Sequence, residues 1–155
     1  MRISAVIIAK DEAQDVAACV RSVAFCDEVL VVDSGSTDGT PELARAAGAR
    51  VVVTDWPGYV AQKNRAASLA ANDWVLSIDA DERVDATLRA AIEAVGTGAE
   101  PEAAAFELRR HTFYLGRWID HGGLYPEWRA RLFDRRRARW GGVDPHDRVE
   151  TDGRV

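Results

Sequence analysis

The sequence lacks long apolar runs, tracts rich in Pro, Gly or Ser, and a Gly-x-Gly-x-x-Gly motif, and it has only two cysteines in 155 residues. No stretch approaches the ~20 apolar residues of a membrane span, and a strand pattern begins at once, without a leader peptide. The missing glycine motif argues against a dinucleotide-binding Rossmann domain. Cys19 and Cys26 lack a CxxC spacing and are too few for a disulfide scaffold, so we expect packing roles for both. These absences predict a cytoplasmic protein.

The composition is typical of a globular domain, but the charge is unevenly distributed. Hydrophobic residues make up 47% and charged residues 29% of the chain. This length predicts one domain, residues 1–155, that buries about 68–70% of its unfolded surface. Residues 1–100 hold 9 Lys or Arg against 16 acids, whereas residues 101–155 hold 11 Arg against 9 acids, with six of those Arg in residues 129–139. Residues 129–139 are therefore a candidate for contact with phosphates or an anionic membrane; a solvated, salt-bridged face is the alternative.

Apolar runs alternate with segments of helical period, which predicts an α/β fold with a parallel sheet covered by helices. The predicted strands are residues 3–9, 29–32, 51–53 and 74–78. The predicted helices are residues 14–23, a segment with Thr40 as N-cap and Gly48 past its end, residues 59–71, and a segment capped by Asp85.

The pattern changes after residue 101. Residues 104–108 and 112–118 are predicted strands, and glycines and prolines then interrupt the chain every few residues. Aromatic residues and arginines are dense in this segment, which predicts substrate recognition. The last residues are typical of a turn that leads into another strand, so we expect the natural protein to continue beyond Val155.

Acids follow three of the predicted strands, and the ends of parallel strands share one edge of a sheet. Asp79 and Asp81 come directly after residues 74–78, and two carboxylates one residue apart suit a hard divalent cation. Ionised groups about 4 Å apart repel by roughly 4 kcal/mol at an effective dielectric of 20, so these acids and Glu82 are costly without a cation. The sequence therefore predicts a Mg²⁺ or Mn²⁺ site; a solvated strand-to-helix turn is the alternative.

Asp33 directly follows residues 29–32 and is placed as an acceptor for a ribose or a base. The small residues Ser34 and Gly35 would let a ligand approach the backbone. An Asx-turn is the alternative; it explains Ser36 and Asp38 but leaves Asp33 unexplained.

Four ordered motifs resemble those of family 2 glycosyltransferases with the GT-A fold, and the segment after residue 110 is most similar to bacterial lipopolysaccharide-core glucosyltransferases. The motifs are residues 3–12, 31–38, 62–64 and 79–81; the later similarities are residues 114–118, 121–123, 131–133, 140–142 and 145–146. The resemblance covers nearly the whole chain. It implies a nucleotide-sugar half, residues 1–100, and an acceptor-side segment, residues 101–155.

The resemblance also implies roles for individual residues. Asp81 is implied as the more direct metal ligand, with Asp79 toward ribose or metal and His146 a possible third ligand. Asp11 stands at a position where Asn is commoner in that family. Compared with Asn, Asp keeps the acceptor oxygen but lacks the amide donor. The residues implied to bind the nucleotide are Ala9, Asp11, Glu12, Asp33, Ser34, Gly35, Lys63, Asn64 and Asp79.

An inverting transferase also needs a general base, and the candidates are Asp147, Glu127 and Asp120. We therefore expect a metal-dependent transfer of a hexose from a UDP-sugar to a lipid-linked saccharide, with no nucleic-acid partner. A non-catalytic nucleotide- or membrane-binding module is the alternative. A phosphatase of the Asp-x-Asp-x-Thr type is disfavoured because Arg83 stands at the Thr position. A sugar-phosphate nucleotidyltransferase is disfavoured because no glycine-rich loop follows the first strand.

Overall fold

The computed structural model describes residues 1–98, 100–114, 117–118 and 127–155. Its strands and helices alternate through the first part of the chain, and strands follow. The elements are β1 (Ile3–Ala9), α1 (Val16–Ser22), β2 (Glu28–Asp33), α2 (Thr40–Ala46), β3 (Arg50–Val53), α3 (Tyr59–Leu69), β4 (Trp74–Asp79), α4 (Ala86–Thr97), β5 (Ala105–Arg110), β6 (Phe113–Tyr114), β7 (Arg117–Trp118), β8 (Glu127–Asp134), β9 (Ala138–Val143) and β10 (His146–Thr151).

The central sheet has the strand order β3-β2-β1-β4-β8-β5. Strands β1 to β4 run parallel, whereas β8 is antiparallel to both β4 and β5. This mostly parallel sheet flanked by helices confirms the predicted α/β fold. The pairs β9–β10 and β6–β7 form separate two-stranded sheets.

The two faces of the sheet carry separate apolar cores. Helices α1, α2 and α4 cover one face, where Val20, Ala44 and Ile92 pack with residues such as Ile7 and Leu76 of the sheet. Helix α3 and strand β9 cover the other face. There Ala66 and Ala67 lie in one cluster with Leu30, Phe133 and Trp140, so an alanine-rich helix approaches the sheet closely.

Some details differ from the sequence prediction, whereas the predicted cap of α4 agrees with it. Thr40 is the first residue of α2 rather than its cap, because Gly39 precedes it in the left-handed conformation and Asp38 accepts hydrogen bonds from the Thr40 amide and hydroxyl. Asp85 does cap α4, and its side chain accepts from the Leu88 amide at 2.7 Å. Strands β8 to β10 were not predicted, because their glycines and arginines interrupt the apolar pattern; β8 is held in place by pairing with β4 and β5.

Candidate active site

The carboxyl ends of β1, β2 and β4 meet at one edge of the sheet, where they surround a cleft of about 630 Å³. Five of the residues proposed from the sequence line it: Ala9, Glu12, Ser34, Asp79 and Asp81. The other lining residues are Ile8, Lys10, Trp56, Tyr59 and Ala80. The sequence prediction missed Trp56 and Tyr59. The signal that could have indicated them is the presence of one aromatic residue on each side of Pro57-Gly58, just before a helix.

Asp33 lies behind the cleft wall rather than in it. Its carboxylate is fully buried and accepts hydrogen bonds from the amides of Gly35 and Ser36, at 2.9 and 2.8 Å, and from the Ser36 hydroxyl. The turn therefore accounts for Asp33 as well, which the Asx-turn alternative had left unexplained. In this arrangement both oxygens of Asp33 accept hydrogen bonds within the turn, and its contact with a ribose or base stays a prediction. Gly35 adopts a φ of 77° within this turn.

Asp11 joins the loops that follow β1 and β2. It has a φ of 53°, its Oδ1 accepts from the Thr37 amide at 2.8 Å, and its own amide donates to Ser36 Oγ. Asn and Asp tolerate the left-handed conformation better than other side chains, and this bond needs only an acceptor oxygen. Lys10 strengthens the junction by donating to the Gly35 carbonyl at 2.7 Å. Asp11 thus connects the two loops by hydrogen bonds and does not line the cleft.

Asp79 is neutralised by two buried cations. Lys63 Nζ lies 3.3 Å from its Oδ1, and Arg131 Nη2 lies 3.2 Å from its Oδ2. Arg131 also contacts Glu82 at 3.2 Å, and Glu82 in turn accepts from the Asp79 amide. Burial acts to raise the pKa of Asp79, but Arg131 and then Lys63 outweigh it and hold that pKa below its usual range. The protein thus supplies cations for Asp79 and Glu82, so the repulsion predicted for these two acids does not by itself require a metal, whereas Asp81 has no such cation among the described residues.

Lys63 and Asn64 fasten the β9–β10 hairpin to α3 and do not line the cleft. Lys63 is 4% exposed, lies 2.7 Å from Asp147 Oδ2, and sits 4.4 Å from the centre of a Trp140 ring. Asn64 exchanges two hydrogen bonds with the Trp140 backbone, at 2.8 and 3.0 Å. These two side chains thus hold the hairpin against α3, and Lys63 places Asp147 of the hairpin close to the Asp79 carboxylate.

Asp81 is the exposed acid of the cleft, and its carboxylate has no hydrogen-bond or ion-pair partner among the described residues. Burial, followed by the nearby charge of Asp81, raises the pKa of Glu12. His146 is exposed at the start of β10. In the described ranges no three His, Cys, Asp or Glu side chains are grouped to hold a metal. The set Asp79, Asp81 and His146 is therefore not assembled as a ready metal centre.

The two described candidates for the general base are both held by cations. Asp147 Oδ2 binds Lys63, whereas Glu127 Oε1 accepts two hydrogen bonds from Arg129, at 2.6 and 2.8 Å. The third candidate, Asp120, lies outside the described residues, as do residues 121–123 and 125–126.

Most arginines of residues 129–139 are bound within the fold. Arg135 donates to the carbonyls of Ala67, Ser68 and Ala70 at the end of α3, and Arg136 pairs with the buried Asp134. Arg137 binds the carbonyls of Glu102 and Ala103, and Arg129 and Arg131 pair with acids. Only Arg139 has no such partner in the part of the chain that the structure describes. Membrane contact through this segment stays a prediction; no helix among the described residues is long and apolar enough to cross a membrane.

A mostly parallel sheet with a cleft at its strand ends is typical of α/β proteins that bind nucleotides. Residues 4–151 match the model of the family described as Glycosyl transferase family 2. The chain belongs to this family, as the sequence motifs predicted.

Curated relatives agree with this assignment. A lipopolysaccharide core biosynthesis glycosyltransferase, LpsC of Rhizobium meliloti, is 31% identical over 99% of this chain and 58% of its own length. An uncharacterized glycosyltransferase of Rickettsia felis is 52% identical over 59% of this chain and 33% of its own length. The chain thus spans from a third to somewhat over half of the length of these relatives.

Solved structures resemble part of the chain. Mannosyl-3-phosphoglycerate synthase from Rubrobacter xylanophilus has 31% sequence identity and a TM-score of 0.50, and the match covers 55% of this chain and 32% of that one. Glucosyl-3-phosphoglycerate synthase from Mycobacterium tuberculosis, solved with Mg²⁺ and UDP, has 33% identity and a TM-score of 0.47, over 51% of this chain and 33% of that one.

Proposed function

We propose that this glycosyltransferase moves a hexose from a UDP-sugar to a lipid-linked saccharide, with inversion and with the aid of Mg²⁺ or Mn²⁺ at Asp81. The observation that carries the proposal is the unpaired Asp81 carboxylate at the end of β4, inside a cleft of about 630 Å³. The similarity to LpsC supports an acceptor of the lipopolysaccharide inner-core type. We assign the donor to residues 1–100 and the acceptor to residues 101–155, and we expect the reaction at the cytoplasmic face of the membrane.

The acids of the cleft fit a hard divalent ion that arrives with a diphosphate. Mg²⁺ is commonly bound by one or two carboxylates together with substrate phosphates, rather than by a cage of protein ligands. Asp81 offers one open carboxylate, whereas both oxygens of Asp79 are engaged by Lys63 and Arg131. When bound, the ion would neutralise charge that develops on the diphosphate leaving group. Asp81 is therefore the residue that holds it.

Arg131 lies beside Asp79 but does not line the cleft. Its Nη1 is buried and has no hydrogen-bond partner among the described residues. An unsatisfied buried donor costs about 1–3 kcal/mol, and phosphate oxygens are acceptors that arginine binds well. An oxygen of the donor diphosphate would satisfy Nη1 only if the side chain turned toward the cleft; in the structure Nη2 contacts Asp79.

Asp147 is the better supported of the two described candidates for the general base. Lys63 bridges Asp147 Oδ2 and Asp79 Oδ1, so Asp147 lies next to the acids at the end of β4. Its other oxygen makes no hydrogen bond within the described residues, so it is able to accept a proton from an acceptor hydroxyl. Glu127 is held instead in the Arg110 and Arg129 pairs near the start of β8.

The test is UDP binding by calorimetry, with Mn²⁺ or with chelator, in the wild type, Asp81→Ala and Asp152→Asn. We expect Asp81→Ala to lose the part of the UDP affinity that Mn²⁺ adds, because the ligand is gone. Asp152→Asn changes an exposed acid outside the cleft and should bind UDP as the wild type does. Unchanged UDP affinity of Asp81→Ala in the presence of Mn²⁺ would refute the metal assignment.

Catalysis needs its own measurement. The wild type should release UDP from a UDP-sugar in the presence of extracted glycolipid, and Asp147→Asn should retain UDP binding but lose this turnover. A full-length protein that binds UDP yet neither hydrolyses nor transfers any UDP-sugar would instead favour the non-catalytic module.

A further inference from the structure

Two aromatic rings stand exposed at the mouth of the cleft. Trp56 is 45% and Tyr59 is 44% exposed, and their rings meet edge to face with centroids 4.8 Å apart. In contrast, Trp74 and Trp140 are almost completely buried in the core. Neither ring of the pair is used to fill the interior, and both line the cleft. Because the rings are nearly perpendicular, a flat ligand that stacks on the face of one ring would contact the edge of the other.

The backbone beneath this pair is fixed. The Asp144 carboxylate accepts from the amides of Tyr59 and Val60, at 2.9 and 3.0 Å. Gly58 has a φ of 104°, and a side chain there would overlap that carboxylate. Tyr59 thus begins α3 in a defined orientation, and a preformed aromatic surface loses little conformational freedom when a ligand binds.

The position of the pair in the sheet indicates which part of a donor it meets. Trp56 and Tyr59 follow β3 and lie in the cleft with Ser34 at the end of β2, while Asp81 follows β4. The strand order β3-β2-β1-β4-β8-β5 puts two acceptor-side strands, β8 and β5, beyond β4, whereas the β9–β10 hairpin of the same segment lies against α3. In a UDP-sugar the diphosphate separates the base from the hexose. With the diphosphate at Asp81 and the hexose toward β8, the base points toward β2 and β3.

We infer that the nucleobase of the donor stacks on the face of one ring of the Trp56–Tyr59 pair and contacts the edge of the other, so that the pair is the platform for the base. This inference rests on the proposed function. Stacking on an aromatic ring suits a flat heterocycle and needs no additional charge. Stacking of the base also leaves Asp81 available for the metal ion, which in turn binds the diphosphate. Removal of one such ring is expected to weaken base binding roughly 5- to 150-fold.

The test compares Trp56→Ala, Tyr59→Ala and Trp56→Phe with Trp128→Ala. Trp128 is 55% exposed on β8 and does not line the cleft, so it is the matched control. Each variant is titrated by calorimetry, in Mn²⁺, with UDP, with UDP-glucose and with inorganic pyrophosphate, which has no base. We expect both Ala variants at the platform to lose UDP affinity, with pyrophosphate affinity unchanged, and we expect Trp56→Phe to recover most of it.

Three results would overturn the inference while the proposed function stands. UDP affinity unchanged in both Ala variants would show that the base lies elsewhere. An equal loss for UDP and pyrophosphate would show a general disturbance of the site. A loss for UDP-glucose alone would show that the platform holds the hexose. A wild type that binds no UDP at all would reject the proposed function, and the inference with it.

Discussion

Replacing Asp144 with Ala is expected to loosen both the first turn of α3 and the hairpin that carries Asp147. Asp144 lies between β9 and β10, yet its two carboxylate oxygens accept from the amides of Tyr59 and Val60. It therefore caps a helix that begins 85 residues earlier in the chain. Removal of this side chain breaks a tertiary contact and a helix cap at once.

The expected loss follows from these two hydrogen bonds. Replacing a capping side chain with Ala costs about 0.5–2 kcal/mol, and a negative charge at a helix N-terminus adds a favourable interaction with the helix dipole. Two charge-assisted bonds place Asp144→Ala in the upper part of that range, at about 1–2 kcal/mol. For a chain of this size the melting temperature should fall by roughly 2–8 °C.

Asp85→Ala is the matched control. Asp85 also caps a helix, but it accepts one hydrogen bond, at 2.7 Å, from an amide three residues away, and its side chain contacts no other element within the described ranges. Its removal should cost about 0.5–1 kcal/mol. Urea denaturation gives both free energies of unfolding, and hydrogen exchange followed by mass spectrometry reports the amides of each segment.

We expect peptides from β9, β10 and the start of α3 to exchange faster in Asp144→Ala but not in Asp85→Ala. Faster exchange in α3 with an unchanged hairpin would show that Lys63 and Asn64 hold the hairpin without Asp144. Equal exchange of the hairpin in both variants would refute the claim that Asp144 fastens it.

Two further predictions concern charged groups inside the fold. Lys63→Met leaves Asp79 and Asp147 without their shared cation, and we expect the free energy of unfolding to fall by about 3–5 kcal/mol. The control, Lys10→Met, changes an exposed lysine and should cost about 1 kcal/mol or less; equal losses for the two variants in urea denaturation would contradict the prediction. Burial acts to raise the pKa of Glu28, but its hydrogen bonds lower it overall. A carboxyl whose pKa is lower in the folded than in the unfolded protein stabilises the fold at pH values above the unfolded pKa, which is about 4.3 for Glu. The wild type should therefore be more stable than Glu28→Gln at neutral pH, and this difference should shrink as the pH falls below that value. Denaturation curves in which the difference does not change with pH would rule this out. The groups that donate to Glu28 are the Ala71 amide, Ser4 and Arg50.

Much of the fold was predictable because, in the first half of the chain, the local pattern of apolar residues agrees with the strands and helices that form. Strands β1 to β4 are buried apolar runs, and their parallel pairing follows from the helices between them. Strand β8 was not predictable in this way. It contains Arg129 and Arg131, and its conformation is decided by partners 55 or so residues away, such as Leu76, which is opposite Leu132.

The candidate site was predictable in its location and less so in its roles. Acids after β1, β2 and β4 had to meet at one edge once the strands were parallel. Asp33 and Asp11 have the right residue types for ligand contact, but both accept hydrogen bonds from backbone amides of the loop that follows β2. Nothing local distinguishes these acids from Asp81, because the difference depends on which donors the folded chain brings near.

The sequence alone determined the α/β class, the edge of the sheet that carries the cleft, and the family, since each follows from short segments of the chain. Tertiary structure decided how the charges are matched. Lys63 and Arg131 reach Asp79 from α3 and β8 and leave Asp81 unpaired. The physical reason is that a carboxylate's role is set by the groups within about 4 Å, and in this cleft those groups come from residues 16 to 52 positions away.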